Sequence, residues 1–104
     1  QRRMMQAVPE ADVVITNPTH FAVALQYDID TMGAPMCIAK GQDNVALKIR
    51  EVAEEHDITI MENPPVARAL FATVEIDQEI PPEHYKAVAE IISFVFRQRG
   101  KKLG

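Results

Sequence analysis

Asn17-Pro18-Thr19-His20 is the stretch whose residue types could break a bond. Asparagine ordinarily decays when the backbone nitrogen of the next residue attacks its side-chain carbonyl. Pro18 has no N–H with which to do this. The reverse attack stays open: the side-chain amide nitrogen of Asn17 closes on the backbone carbonyl carbon of Asn17, forms a five-membered succinimide and expels Pro18 as a secondary amine. The chain would part between residues 17 and 18. An amide is a poor nucleophile and a poor leaving group, so alignment must do most of the work. Well-oriented intramolecular attack reaches effective molarities of roughly 10⁵ to 10⁸ M. His20 could return across the turn to take or deliver a proton, since imidazole exchanges protons near neutrality. Thr19 could bond the developing oxyanion or only brace the turn.

Two other readings of the tetrad stand beside this one. Asn-Pro is a common turn opening, so a turn carrying a surface histidine is the commoner meaning of these residues taken alone. A hydrolase using His20 with Asp28 or Thr19 is the third, but no nucleophile elbow and no metal motif accompanies it.

The elements on either side must position the corner. Val13-Val14-Ile15 is a β-branched run suited to a strand covered on both faces. Phe21, Val23 and Leu25 alternate with Ala22, Ala24 and Gln26, a period-two pattern with room for a helix on the alanine side. The expected core is therefore a sheet with the corner joining two of its strands. Residues 1–7 favour helix and stop before Pro9. Met36 to Ala39 reads as a short buried strand, ended by Gly41 to Asn44. Asp43 or Asn44 then caps a helix with Val45, Ile49, Val52, Ala53 and His56 on one stripe. A glycine corner ahead of a helix could cradle an anion, but no phosphate-loop pattern surrounds Gly41. Ile58 to Met61 follows as a strand, so residues 36–61 form a parallel strand-helix-strand unit. Asn63 caps the next helix with Pro64 at its first position, and Val66, Leu70 and Phe71 pack inward. Arg68 on that helix is a partner contact or an ion pair with Glu62 or Asp28. An irregular crossing covers residues 72–80. Pro81-Pro82 opens a last helix with the stripe Tyr85, Val88, Ile92, Val95 and Phe96, widened by Ile91 and Phe94. The fold class is α/β: one domain, a central mixed sheet of four to five short strands surrounded by three to four helices.

Composition narrows the function. At 104 residues, 47% of them hydrophobic, the chain supports one core. Cys37 is the single cysteine, which excludes an internal disulfide and a cysteine-based zinc site. His20, His56 and His84 lack ligand spacing, so neither metal nor cofactor is expected. No apolar run reaches the roughly 18–20 residues a membrane helix needs. Arg2, Arg3, Arg97, Arg99, Lys101 and Lys102 lie at the ends, so residues 4–96 hold all 15 acids against five bases, and that middle is near −10. Such a surface repels phosphates and argues against nucleic acid as a partner.

The tetrad, preceded by Val13-Val14-Ile15-Thr16 and followed by Val23-Ala24-Leu25-Gln26-Tyr27-Asp28, resembles the cytoplasmic domain of the FlhB/YscU family of type III secretion substrate-specificity switch proteins. Ala34-Pro35, Ala39-Lys40-Gly41, Ile49-Arg50-Glu51, Pro64-Pro65-Val66-Ala67-Arg68-Ala69-Leu70 and Ala87-Val88-Ala89-Glu90 extend the similarity from Arg2 to about Phe96. The Pro-Pro-Val-Ala-Arg-Ala-Leu run is more similar to the flagellar branch than to the virulence branch.

The resemblance implies self-cleavage at Asn17-Pro18 in a single turnover, within an export apparatus that switches from rod and hook to filament substrates. Asn17, Pro18, Thr19 and His20 are then the reacting residues, and Pro64, Pro65, Arg68 and Leu70 the candidate partner contacts. The implied partners are other export-gate proteins, a secreted hook-length control protein, and export substrates with their chaperones. The implied organisation is the end of a linker helix over 1–8, behind an N-terminal membrane half, then the switch domain over 9–96 and a basic flexible tail over 97–104. The implied location is the cytoplasmic face of the bacterial inner membrane, with this domain in the cytosol and the sequence an excised piece or a stand-alone short homologue. An uncleaved module that docks cargo or chaperones in an apolar groove is the alternative.

Overall fold

A computed structural model describes residues 2–100; Gln1 and residues 101–104, which hold the end of the expected basic tail, lie outside the described residues. In chain order the elements are α1 (Arg2–Ala7), β1 (Val13–Asn17), β2 (Phe21–Gln26), β3 (Met36–Gln42), α2 (Asn44–Glu55), β4 (Thr59–Glu62), α3 (Pro64–Thr73), β5 (Gln78–Glu79) and α4 (Tyr85–Gln98). Short 3-10 turns occupy Val8–Glu10 and Pro82–His84. The strands form one sheet in the order β4-β1-β2-β3-β5. β1 runs parallel to β4, and the other neighbouring pairs are antiparallel. This is the mixed α/β sheet expected from the sequence.

Strand periodicity builds two cores from one sheet. Val13, Ile15, Val23 and Leu25 face α3 and α4, where they meet Leu70, Val88, Ile92 and Val95. Val14, Ala22, Ala24 and Ala39 face α2 and the 3-10 turn after α1, meeting Val8, Ala46, Ile49 and Ala53. The small side chains of β2 let α2 lie close, and the β-branched run of β1 is covered from both sides. Each fully buried Val, Leu or Ile contributes roughly 1.5–3 kcal/mol. At α3, Asn63 caps as expected, its side-chain oxygen accepting from the Val66 N–H at 3.3 Å with Pro64 in the first turn.

Several local expectations change. β3 does not stop at Ala39 but continues through Gly41 to Gln42. A Cβ on Gly41 would lie 2.3 Å from Cγ1 of Val45, so the glycine serves the close start of α2, and Val45 fills the space an anion would need. Asp43 stands at the N-cap position without a side-chain capping bond. β3 and β4 are parallel, yet β1 and β2 lie between them, so the unit over 36–61 crosses two strands rather than joining neighbours. His56 is exposed at the end of α2, and Ala46 takes the buried place on its stripe. The 72–80 crossing contains β5, which pairs with Met36 and Cys37 at the sheet edge.

On α4 the buried residues are Val88, Ile91, Ile92, Val95 and Phe96, whereas Tyr85 and Phe94 remain 45% and 43% exposed. Of the expected tail, Arg97 and Gln98 continue α4, and Arg99 donates to Asp12 at 3.0 Å. Cys37 is buried, and burial pushes its thiol up to about 11, so it stays protonated and unreactive near neutrality. Among the described residues no helix is long and apolar enough to cross a membrane.

Candidate functional site

The tetrad forms the tip of the β1–β2 hairpin. Asn17 and Phe21 are the last paired residues, leaving a loop of Pro18, Thr19 and His20. The His20 N–H donates to the Asn17 carbonyl at 2.8 Å, which closes a turn across the Asn-Pro bond. That oxygen would carry negative charge if the Asn17 carbonyl carbon were attacked. A backbone donor therefore already points at the position where an oxyanion would develop.

Neighbouring elements hold the rest of the corner. The Thr16 carbonyl accepts from the Asn63 N–H at 2.9 Å, from the junction of β4 with α3. The Pro18 carbonyl accepts from Nη1 of Arg50 on α2. The His20 carbonyl accepts from the Asp43 N–H at 2.9 Å, at the junction of β3 with α2. Phe21 packs on Phe71 of α3 with ring centroids 4.7 Å apart. The carbonyls of Thr16, Asn17, Pro18 and His20 are thus each fixed by a separate donor. Asn17 and Pro18 are half-buried, and Thr19 and His20 are exposed.

The imidazole of His20 places Nδ1 3.7 Å from Oδ1 of Asp43, with both side chains about two-thirds exposed. The contact is too long for a hydrogen bond and leaves both side chains in solvent. Asp28, the carboxylate expected beside His20 in the hydrolase reading, lies beyond the far end of β2, a strand whose six residues span roughly 20 Å. That pairing does not form. Among the described residues the Thr19 hydroxyl makes no hydrogen bond. The sequence carries no local signal that brings Arg50 or Asp43 to this corner. Asp43 was visible only as a helix cap, and Arg50 lies 32 residues from the carbonyl it holds.

The proposed contact residues on α3 separate. Pro65 and Arg68 are exposed and Pro64 is half-buried, but Leu70 is fully buried and belongs to the core, so no partner can touch it. Among the described residues Arg68 forms no ion pair with Glu62 or Asp28. At the opposite end of the hairpin an apolar cleft of about 360 Å³ runs between the β2–β3 connection and α4, lined in part by Tyr27, Ile29, Pro35, Tyr85 and Ala89.

Comparison with known proteins gives a consistent result. Residues 1–95 match the model of the FlhB HrpN YscU SpaS family. The chain is 57% identical over 100 residues to the flagellar biosynthetic protein FlhB of Bacillus subtilis (strain 168), covering 96% of this chain and 28% of that protein. It thus spans little more than a quarter of the curated relatives' length. The cytoplasmic domain of FlhB from Shewanella putrefaciens superposes with a TM-score of 0.88 at 51% identity, covering 92% of this chain and 79% of that one. A mutated EscU C-terminal domain superposes with a TM-score of 0.86 at 29% identity, covering 91% of this chain and 95% of that one.

Proposed function

This chain belongs to the FlhB HrpN YscU SpaS family, and from that premise we propose that it is the switch domain of a flagellar type III export component that cuts itself once between Asn17 and Pro18. The higher identity to flagellar relatives than to EscU supports the flagellar branch. The observation that carries the cleavage is the His20 N–H on the Asn17 carbonyl, 2.8 Å away, beside a proline that blocks the easier attack.

In the step itself, the Asn17 side-chain nitrogen bonds to its own carbonyl carbon while charge gathers on the oxygen held by the His20 N–H. The bond to Pro18 nitrogen then breaks. One proton leaves the attacking amide and one arrives at the departing proline nitrogen, and the His20 imidazole is the group that transfers it. Thr19 supports the turn. Water later opens the succinimide, leaving a carboxyl end at residue 17 and a charged amine on Pro18. The reaction happens once per chain, so this is not a turnover enzyme.

The change at the corner is what the export machine would sense when it turns from rod and hook to filament substrates. Other export-gate proteins, a secreted hook-length control protein, and cargo with its chaperones are the partners this reading implies. It also places residues 1–8 at the end of a linker helix from a membrane-embedded half and the domain at the cytoplasmic face of the inner membrane. Intact-mass spectrometry tests the chemistry. The native chain should yield two fragments, the first initially one water lighter than its hydrolysed form. Asn17→Ala should stay whole, and Pro18→Ala should cleave poorly while gaining deamidation at Asn17, because a backbone N–H returns. Two fragments from Asn17→Ala would refute the mechanism.

One observation favours a second reading, the docking of export cargo. The apolar cleft beside α4 keeps Ile29 and Tyr85 43% and 45% exposed, and it suits an apolar segment of a substrate. Ala89→Glu, on the exposed rim of the cleft, should weaken binding of a hook-class substrate at least tenfold in a titration. Unchanged affinity there would remove the cleft from the account.

A further inference from the structure

We propose that Arg50 is a positioning residue for the cleavage, one that fixes the leaving-group side of the scissile bond; the inference rests on the cleavage reading above. Its guanidinium donates through Nη1 to the Pro18 carbonyl, one peptide beyond the bond that would break. Arg50 belongs to α2, where Glu51, Glu54 and Glu55 offer nearby carboxylates. Glu51 is taken by Lys48 at 2.8 Å, and among the described residues Arg50 forms no ion pair. The cation is committed to a neutral backbone oxygen at the hairpin tip, an unusual use of a side chain that normally seeks carboxylates in bidentate geometry.

The consequence is geometric. Asn17 is held in the sheet by its pairing with Phe21, and its carbonyl is held by His20. Those contacts hold the acyl side of the scissile bond within the hairpin tip itself, and because the peptide is planar any residual rotation about the Asn17 Cα–C bond turns the carbonyl and the Pro18 nitrogen together. That rotation sets the angle between the Asn17 carbonyl and its own side-chain nitrogen, which is the approach angle of the attack. By anchoring the Pro18 carbonyl to α2, Arg50 removes this freedom. The N-cap of the same helix, Asp43, holds the His20 carbonyl, so both ends of the three-residue loop are referenced to one rigid element.

A misplacement of about 1 Å in such a closure costs roughly a hundredfold in rate. Cleavage rates of the native chain, Arg50→Met, Arg50→Lys and Lys48→Met would be followed by intact mass at several pH values, with thermal melts of each and with Asn17→Ala alongside. Arg50→Met should cut about ten to a hundred times more slowly across the whole pH range while melting near the native temperature. Arg50→Lys, which keeps a charged donor, should recover most of the rate, and Lys48→Met should match the native chain. A native rate in Arg50→Met overturns the proposal, as does an Arg50→Lys as slow as Arg50→Met, or a loss that only tracks a lower folded fraction. These results with an intact Asn17→Ala leave the cleavage reading standing. A native chain that never cuts, or an Asn17→Ala that does, sinks both.

Discussion

At the scale of single residues, the corner depends on one strained position. Asp43 carries φ 54 and ψ −118, a conformation that residues with a Cβ adopt at a cost of order 1–3 kcal/mol. The strain turns its N–H toward the His20 carbonyl at 2.9 Å and starts α2 directly beneath the hairpin tip. Its exposed carboxylate contributes little to stability, because a solvated contact of 3.7 Å to His20 is screened. Comparing Asp43→Gly with Asp43→Ala therefore isolates the backbone, since both lose the carboxylate and only one keeps a Cβ. Allowing for the greater freedom of glycine in the unfolded chain, Asp43→Gly should be more stable by about 1 kcal/mol in urea denaturation. Equal midpoints, or alanine ahead, would show that the turn tolerates a Cβ and that no strain is stored there.

At the scale of elements, the sequence was legible where a signal is local. Val13 to Ile15, the alternation from Phe21 to Gln26 and the Asn63-Pro64 cap each announce their structure within a few residues, and β1, β2 and α3 form where expected. Contacts between distant segments were not legible. Lys40 reads as a lone charge in a strand, yet its Nζ donates to the Phe71 and Val74 carbonyls at 3.1 and 2.7 Å and so satisfies the last turn of α3. β5 is two residues long, and only its pairing with Met36 and Cys37 makes it a strand. The candidate site divides the same way. Asn17 and Pro18 announce their chemistry by type and adjacency. The groups that hold the corner around them, Arg50 on Pro18, the Asp43 N–H on His20 and the Asn63 N–H on Thr16, come from three other places in the chain. A side chain's neighbours across a fold leave no mark on the residues beside it.

At the scale of the whole molecule, the corner and the apolar cleft sit at opposite ends of the β1–β2 hairpin, so a cut at one is separated from the other by the length of those strands. Cutting does not loosen β1 from its neighbours. It is a central strand paired with β2 on one side and β4 on the other, and Val8, Val13, Val14 and Ile15 ahead of the break are fully buried. Exposing those four side chains would cost about 6–12 kcal/mol, comparable with the whole stability of a small domain. Leaving is therefore equivalent to unfolding. The ion pair of Asp12 with Arg99 at 3.0 Å adds a second tie between the two fragments. What the cut removes is the covalent link that keeps β1 close to β2 once the fold opens, so unfolding becomes a dissociation. Thermal midpoints of fully cut protein should then rise with protein concentration over a hundredfold range, while those of Asn17→Ala stay constant. The cut protein should still elute from size exclusion as one species under native conditions. Two separating fragments, or a midpoint indifferent to concentration, would mean that β1 is not held by the sheet, and that cleavage acts by releasing a piece rather than by freeing a corner.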